Sequence, residues 1–364
     1  MTSEASPITD RVRAFLVDDF AAIDPQLPSL LAILDERRAA EDWHKHGTFK
    51  EHLLGVYRIL SLWRQPKDVC LCGLLHSVYS NEYVDLALFD AKAGRGSLQQ
   101  LVGPETEELI FLFCTMPRSQ FAIDLLEAES APTSGMVLRD SAGASGREVR
   151  LSAAQTAKFL IVTLADLAEQ FFSWQDEVMA RYPYVPMLPA AEHWSAALWP
   201  GACRPSAWMP SVLSRLARHL PQFDVELPPI FDRCTGGIVS AEDAAAAAAL
   251  YWQVVAQSGP LVSAEHAEAT LRAAIRHNPW MAEPHLLLAQ LAMLRGDFPT
   301  GEHHAGRGLR LLCDWGTPWD KRVSWAGWVA WARILLQRAN ARSWPPTLRE
   351  HNNLGLVQDP PTSS

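Results

Sequence analysis

The chain of 364 residues has no run of about 20 apolar residues free of charge, which excludes the usual signature of a membrane-spanning helix. Met1 to Asp10 contain no basic stretch leading into an apolar one, so they do not read as a secretory signal, and the cytoplasm is the expected location. The six cysteines, at 70, 72, 114, 203, 234 and 313, include no Cys-x-x-Cys pair and no metal-finger spacing. They read as reduced core thiols rather than as a disulfide framework. Cations are scarce as well: 32 Lys and Arg against 41 Asp and Glu leave a net charge of −9. That balance argues against general nucleic-acid binding, which requires clustered cations against phosphate.

What is present is the composition of a globular chain, 48% hydrophobic and 20% charged, long enough for two or three domains. The periodicity is helical throughout, and the expected fold class is all-α. Val12, Phe15, Leu16 and Phe20 form one apolar stripe, broken at Pro25 and Pro28 and resumed at Leu30, Leu31 and Leu34. Thr48-Phe-Lys-Glu51 has the spacing of a capping box, opening a helix whose buried face carries His52, Leu53, Val56, Tyr57 and Leu60. A second helix, apolar nearly all round, is expected from Pro66 to His76, and another opens at Gly103-Pro104 with acidic residues in its first turn. Residues 127–147 read as a loop with hairpin flanks at Met136–Leu138 and Val149–Leu151, after which Ser152 caps a long helix running to Tyr182. These elements define a first domain, 1–182.

Residues 183–239 form a Pro- and Trp-rich connector with helices expected at 189–198 and 207–219. Residues 240–350 follow the helix-turn-helix period of about 34 residues, and 351–364 form a tail. Five tryptophans between Trp315 and Trp331 are expected to pack inward, with Asp320 and Arg322 pairing locally.

Three polar residues interrupt three apolar helices: His52, His76 and Asp166. Each must find a polar partner or lose several kcal/mol to desolvation. A divalent metal would satisfy all three together, since imidazole and carboxylate are its usual ligands. Glu82 or Glu51 would be the general base, although Glu51 is already explained as the capping residue. His44 and His46 are candidates for a further ligand.

His52, the Leu-Leu-His76 segment and Leu-Ala-Asp166 together resemble the His…His-Asp…Asp pattern of the HD metal-dependent phosphohydrolases, nearest to the hydrolase domain of stringent-response alarmone hydrolases. Val102-Gly-Pro-Glu-Thr-Glu-Glu-Leu-Ile is similar to a helix of that family, and the likeness covers about residues 40–180. The whole chain also resembles an uncharacterised plant and bacterial HD-like family with a tetratricopeptide-like tail. Gly-Leu-Leu-His76-Ser-Val-Tyr, Arg276-His-Asn-Pro-Trp-Met-Ala-Glu-Pro-His and Trp315-Gly-Thr-Pro-Trp-Asp-Lys-Arg-Val-Ser-Trp carry that second likeness.

The resemblance implies an HD-like helical domain with His52, His76 and Asp166 as ligands of Mn, Mg, Zn or Fe. It departs at Ser77, where the superfamily has aspartate, and at Ser80-Asn81, where the alarmone hydrolases have an acidic pair. Three readings therefore stand. The first is a phosphohydrolase of a phosphate ester or nucleotide-type small molecule, with a metal-activated water. The second is a non-haem iron oxygenase with two histidines and one carboxylate. The third is an inactive HD-like scaffold that binds a partner protein through its helical-repeat tail.

Overall fold

Apolar positions recurring every three to four residues make helix the dominant element, and helix accounts for 65% of the described residues against 5% strand. The fold class is all-α, as expected. The computed structural model describes residues 8–44, 47–139, 148–170, 209–233, 237–258 and 264–351. Among these residues no single helix is long and apolar enough to cross a membrane. The chain divides into two compact units, one formed by Ile8–Phe171 with Met209–Ile238, the described part of the other starting at Val239.

The first unit begins with α1 (Asp10–Leu16), α2 (Phe20–Ile23) and α3 (Leu27–Glu36). A small antiparallel pair follows, β1 (Trp43–His44) and β2 (Gly47–Thr48), with Trp43 opposite Thr48. Then come α4 (Phe49–Leu62), α5 (Lys67–Leu74), α6 (Arg95–Val102), α7 (Pro104–Thr115) and α8 (Arg118–Glu127). The hairpin β3 (Met136–Arg139) and β4 (Glu148–Leu151), paired from Met136↔Leu151 to Arg139↔Glu148, leads into α9 (Ala153–Glu169). The unit closes with α10 (Met209–Ala217) and α11 (Pro229–Arg233).

Its centre is the packing of α4, α5 and α9 on one another, with α7 against α5 and α10 against α8 and α9. Leu53, Val56 and Leu60 of α4, Leu74 of α5, Phe113 of α7 and Phe159, Leu160 and Val162 of α9 are fully buried. Each such side chain contributes about 1.5–3 kcal/mol.

Helix starts are built as the sequence predicts. Thr48 Oγ1 accepts from the Glu51 amide at 3.1 Å, and Glu51 Oε2 accepts from the Thr48 amide at 2.8 Å. Ser152 and Gln155 close the same reciprocal box at the head of α9. Two expectations need adjusting. Helix α5 ends at Leu74, so His76 lies in the turns beyond it rather than in its last turn. The part of the connector that is described, Met209–Ile238, belongs to the same unit as Ile8–Phe171. The cause is its amphipathic helix and its polar ties: the His219 ring meets the Leu125 carbonyl at 2.7 Å, Gln222 Oε1 accepts from the Ala131 amide at 3.0 Å, and Phe231 packs on Trp63. The helix expected at 189–198, the end of the long helix beyond Gln170 and the tail lie outside the described residues.

The other unit stacks α12 (Ala241–Trp252), α13 (Ala264–His277), α14 (Glu283–Leu294), α15 (Phe298–Trp315) and α16 (Trp325–Asn340), each packing on the next, before the short α17 (Leu348–His351). Trp315, Trp319, Trp325 and Trp328 are buried, as expected. The indole N–H groups of Trp325 and Trp328 donate to the carbonyls of Leu312 and Asp320 at 2.8 and 2.9 Å. Asp320 also pairs with Arg322, whose Nε lies 2.9 Å from Oδ1, and accepts from the Tyr251 hydroxyl at 2.7 Å. Cys70, Cys72, Cys114 and Cys313 are buried free thiols. Burial pushes the Cys70 thiol up to about 12.

Two glycines set the approach of the central helices. A Cβ on Gly73 would meet Leu60 Cδ1 at 2.2 Å, and one on Gly55 would meet Glu169 Cγ at 2.9 Å. Gly73→Ala is therefore expected to lower stability by about 1–3 kcal/mol in urea unfolding. Gly306→Ala is the control, because its nearest neighbour, Leu336 Cδ1, lies at 4.0 Å. It should leave stability unchanged or raise it by about 0.5–1 kcal/mol.

Candidate metal centre

His52 occupies the fourth position of α4, on the face turned toward α9, where Asp166 and Glu169 stand one turn apart. His76 enters from the turns after α5. Its Nδ1 lies 2.7 Å from the Gly73 carbonyl, which can only accept, so Nδ1 carries hydrogen and Nε2 points inward. The His52 ring is fixed in the same way: Nδ1 donates to Glu169 Oε2 at 2.6 Å. The two Nε2 atoms consequently face each other at 3.2 Å. Asp166 Oδ1 completes the triangle, 3.3 Å from His52 Nε2 and 3.6 Å from His76 Nε2. All three side chains are buried.

With both Nδ1 atoms committed as donors, two neutral imidazoles would turn lone pairs on each other. A cation has to lie between them, either a proton or a metal ion. In the metal-free protein the proton belongs to His52. Burial disfavours its charge, but the Glu169 and Asp166 carboxylates outweigh burial and carry its pKa up to about 9. Burial dominates at His76 instead and, aided by His52 and Arg118, takes it down to about 4. Burial also works against the Asp166 charge, yet His76, Arg118 and His52 hold that carboxyl well below its usual range.

The same three atoms fit a metal. Ligand bonds of about 2.0–2.2 Å place neighbouring ligand atoms roughly 3.0–3.5 Å apart, close to the three separations found here. Bonds from Nδ1 to a carboxylate and to a carbonyl are the usual means of orienting metal-bound histidines. The buried His52, His76 and Asp166 group could therefore hold a metal ion.

The other residues singled out in the sequence lie as follows. The Ser77 hydroxyl accepts from Asn81 Nδ2 at 2.7 Å. Glu82 is bonded through its carboxylate to the amide of Ser119, at 2.9 Å, and to the Ser119 hydroxyl, at the start of α8. Glu51 is spent on the capping box. The His44 ring lies against that of His52, centroids 4.5 Å apart, and His46 falls outside the described residues.

Three participants escaped the sequence reading. Glu169 had a legible signal, since it shares the buried face of Asp166 three residues on. Gln170 Nε2 donates to Asp166 Oδ1 at 2.7 Å. Arg118 Nη2 bonds Asp166 Oδ2, and no spacing in the sequence announces a partner 48 residues away.

A family described only as a domain of unknown function (DUF6817) matches residues 33–118. That span includes His52 and His76, ends at Arg118 and leaves Asp166 outside. No curated protein and no solved structure matches the chain.

A pH prediction follows from His52. Its pKa is raised on folding from 6.5 to about 9, so the stability it contributes is complete below pH 6.5 and is lost as pH rises through about 9. The metal-free protein is expected to lose about 3 kcal/mol across that window. Glu169→Gln should flatten the slope, as followed by urea unfolding in chelator.

Proposed function

We propose that the protein is an HD-like, divalent-metal phosphohydrolase acting on a phosphate ester or nucleotide-type small molecule. The observation that carries this reading is the triangle of His52 Nε2, His76 Nε2 and Asp166 Oδ1, with sides of 3.2, 3.3 and 3.6 Å and both Nδ1 atoms tied behind it. These three residues would hold Mn, Mg, Zn or Fe. When bound, the metal would lower the pKa of a water and polarise a phosphoryl oxygen.

The chain's own residues do the rest. Glu169 fixes His52 as an Nε2 ligand, the Gly73 carbonyl does the same for His76, and Gln170 orients the Asp166 carboxylate. Glu82 is the general-base candidate on the sequence pattern, and it would have to release Ser119 before accepting a proton. In the second unit, the successive helix pairs support a tetratricopeptide-like surface for a partner protein.

A second reading draws on a different observation. Asp166 is already paired with a guanidinium, and Ser77 stands where the HD superfamily has aspartate, with its hydroxyl engaged by Asn81. Those contacts favour an inactive HD-like scaffold whose charges compensate one another. The two-histidine, one-carboxylate set equally suits an iron oxygenase.

Metal analysis of protein purified without added metal separates the readings. Near-stoichiometric manganese, magnesium or zinc with phosphate release supports the hydrolase, and iron with oxygen-dependent turnover supports the oxygenase. His76→Ala should lose the metal, and Glu169→Gln should weaken binding about 10–100-fold. A metal content near zero that His76→Ala leaves unchanged would refute both enzyme readings in favour of the scaffold.

A further inference from the structure

Arg118 opens α8 and carries a guanidinium that is only 8% exposed. Its Nη2 bonds Asp166 Oδ2, while its Cζ lies 4.6 Å from the centroid of the Phe113 ring and 5.7 Å from that of Tyr83. Among the described residues, Nε and Nη1 have no hydrogen-bond partner. Its unused donors are not among the buried polar atoms that lack a partner, so they reach solvent, where their geometric complement is the oxygen edge of a carboxylate or phosphate. Arg118 sits at the positive end of α8, where the next amide, that of Ser119, already holds the Glu82 carboxylate at 2.9 Å. The Tyr83 ring beside the guanidinium is 63% exposed, so this side of the group opens toward solvent.

The same guanidinium also bears on the metal ligands. Asp166 turns Oδ1 toward His52 and His76 and gives Oδ2 to Arg118. One carboxylate is thus asked to serve two cations, and each weakens its hold on the other.

We propose that Arg118 couples the substrate's anionic group to the metal. Resting on Asp166, it holds metal affinity down. Engaged by a tetrahedral anion such as a phosphate group, it releases Asp166, and the metal is held more tightly. Linkage makes the effect reciprocal, so bound metal strengthens anion binding by the same factor. This inference rests on the metal reading of the site and adds the order in which its charges are satisfied.

The test measures Mn2+ affinity by electron paramagnetic resonance of the free ion, with sulfate as the tetrahedral anion and chloride at equal ionic strength as control. In the full-length protein, sulfate should tighten Mn2+ about tenfold. Arg118→Gln should bind Mn2+ more tightly than wild type without sulfate and show no sulfate effect. Arg118→Lys keeps the cation and should stay as weak as wild type in chloride. Thermal melting of each metal-free variant establishes that it is folded. Wild-type affinity indifferent to sulfate, weaker Mn2+ binding in Arg118→Gln, or Arg118→Lys as tight as Arg118→Gln would each overturn the coupling. Wild-type protein that binds no Mn2+ in either salt would overturn the metal reading with it, an outcome distinct from metal binding without coupling.

Discussion

Two imidazole nitrogens held at 3.2 Å, each with its opposite nitrogen already donating, need a positive charge between them, and the first unit is arranged around that need. Glu169 and the Gly73 carbonyl force the arrangement by fixing which nitrogen of each ring carries hydrogen. Asp166 then supplies the counter-charge. A proton on His52 meets the requirement in the free protein, and a divalent ion would meet it with more bonds. The choice between proton and metal is a competition for one place, which makes any metal affinity of this site pH-dependent.

The helices exist at the right separations because two positions on them have no side chain. Gly73 lets α5 lie against Leu60 of α4, and Gly55 lets the Glu169 stem cross the same helix from the other side. The apolar residues around them, Leu53, Val56 and Leu60 among them, keep water from the rings and so magnify every charge at the centre. Arg118 arrives from α8, outside this three-helix packing, and brings its charge to Asp166 from there.

Much of this was legible beforehand because it depends on local rules. Capping boxes at Thr48 and Ser152, the hairpin flanking residues 140–147 and the all-helical class follow from short-range spacing. The convergence of His52, His76 and Asp166 was legible for another reason: polar groups inside apolar helices must share something. Arg118 was not, since an arginine in a first turn after proline looks like any solvated one, and its partner is chosen by the way α8 packs. The point where α5 stops was also hidden. Nothing in Leu74-Leu-His76 marks an end to the helix, and it is the turn beyond it that brings His76 Nδ1 to the Gly73 carbonyl.

Glu283, in the first turn of α14, has a consequence for how the second unit comes apart. Its buried Oε1 accepts the amides of Trp319 and Asp320, at 2.8 and 3.1 Å, in the loop that leads into α16. Stacked helix arrays ordinarily fray from an end, because each layer touches only its neighbours. Here a carboxyl group reaches past α15 and pins the layer beyond it, so peeling α16 away would strip the partners from a buried oxygen deep in the stack. The last three helices are thereby bound into a single cooperative block, and Tyr251 of α12, bonded to Asp320 in the same loop, ties the first helix of the unit to it.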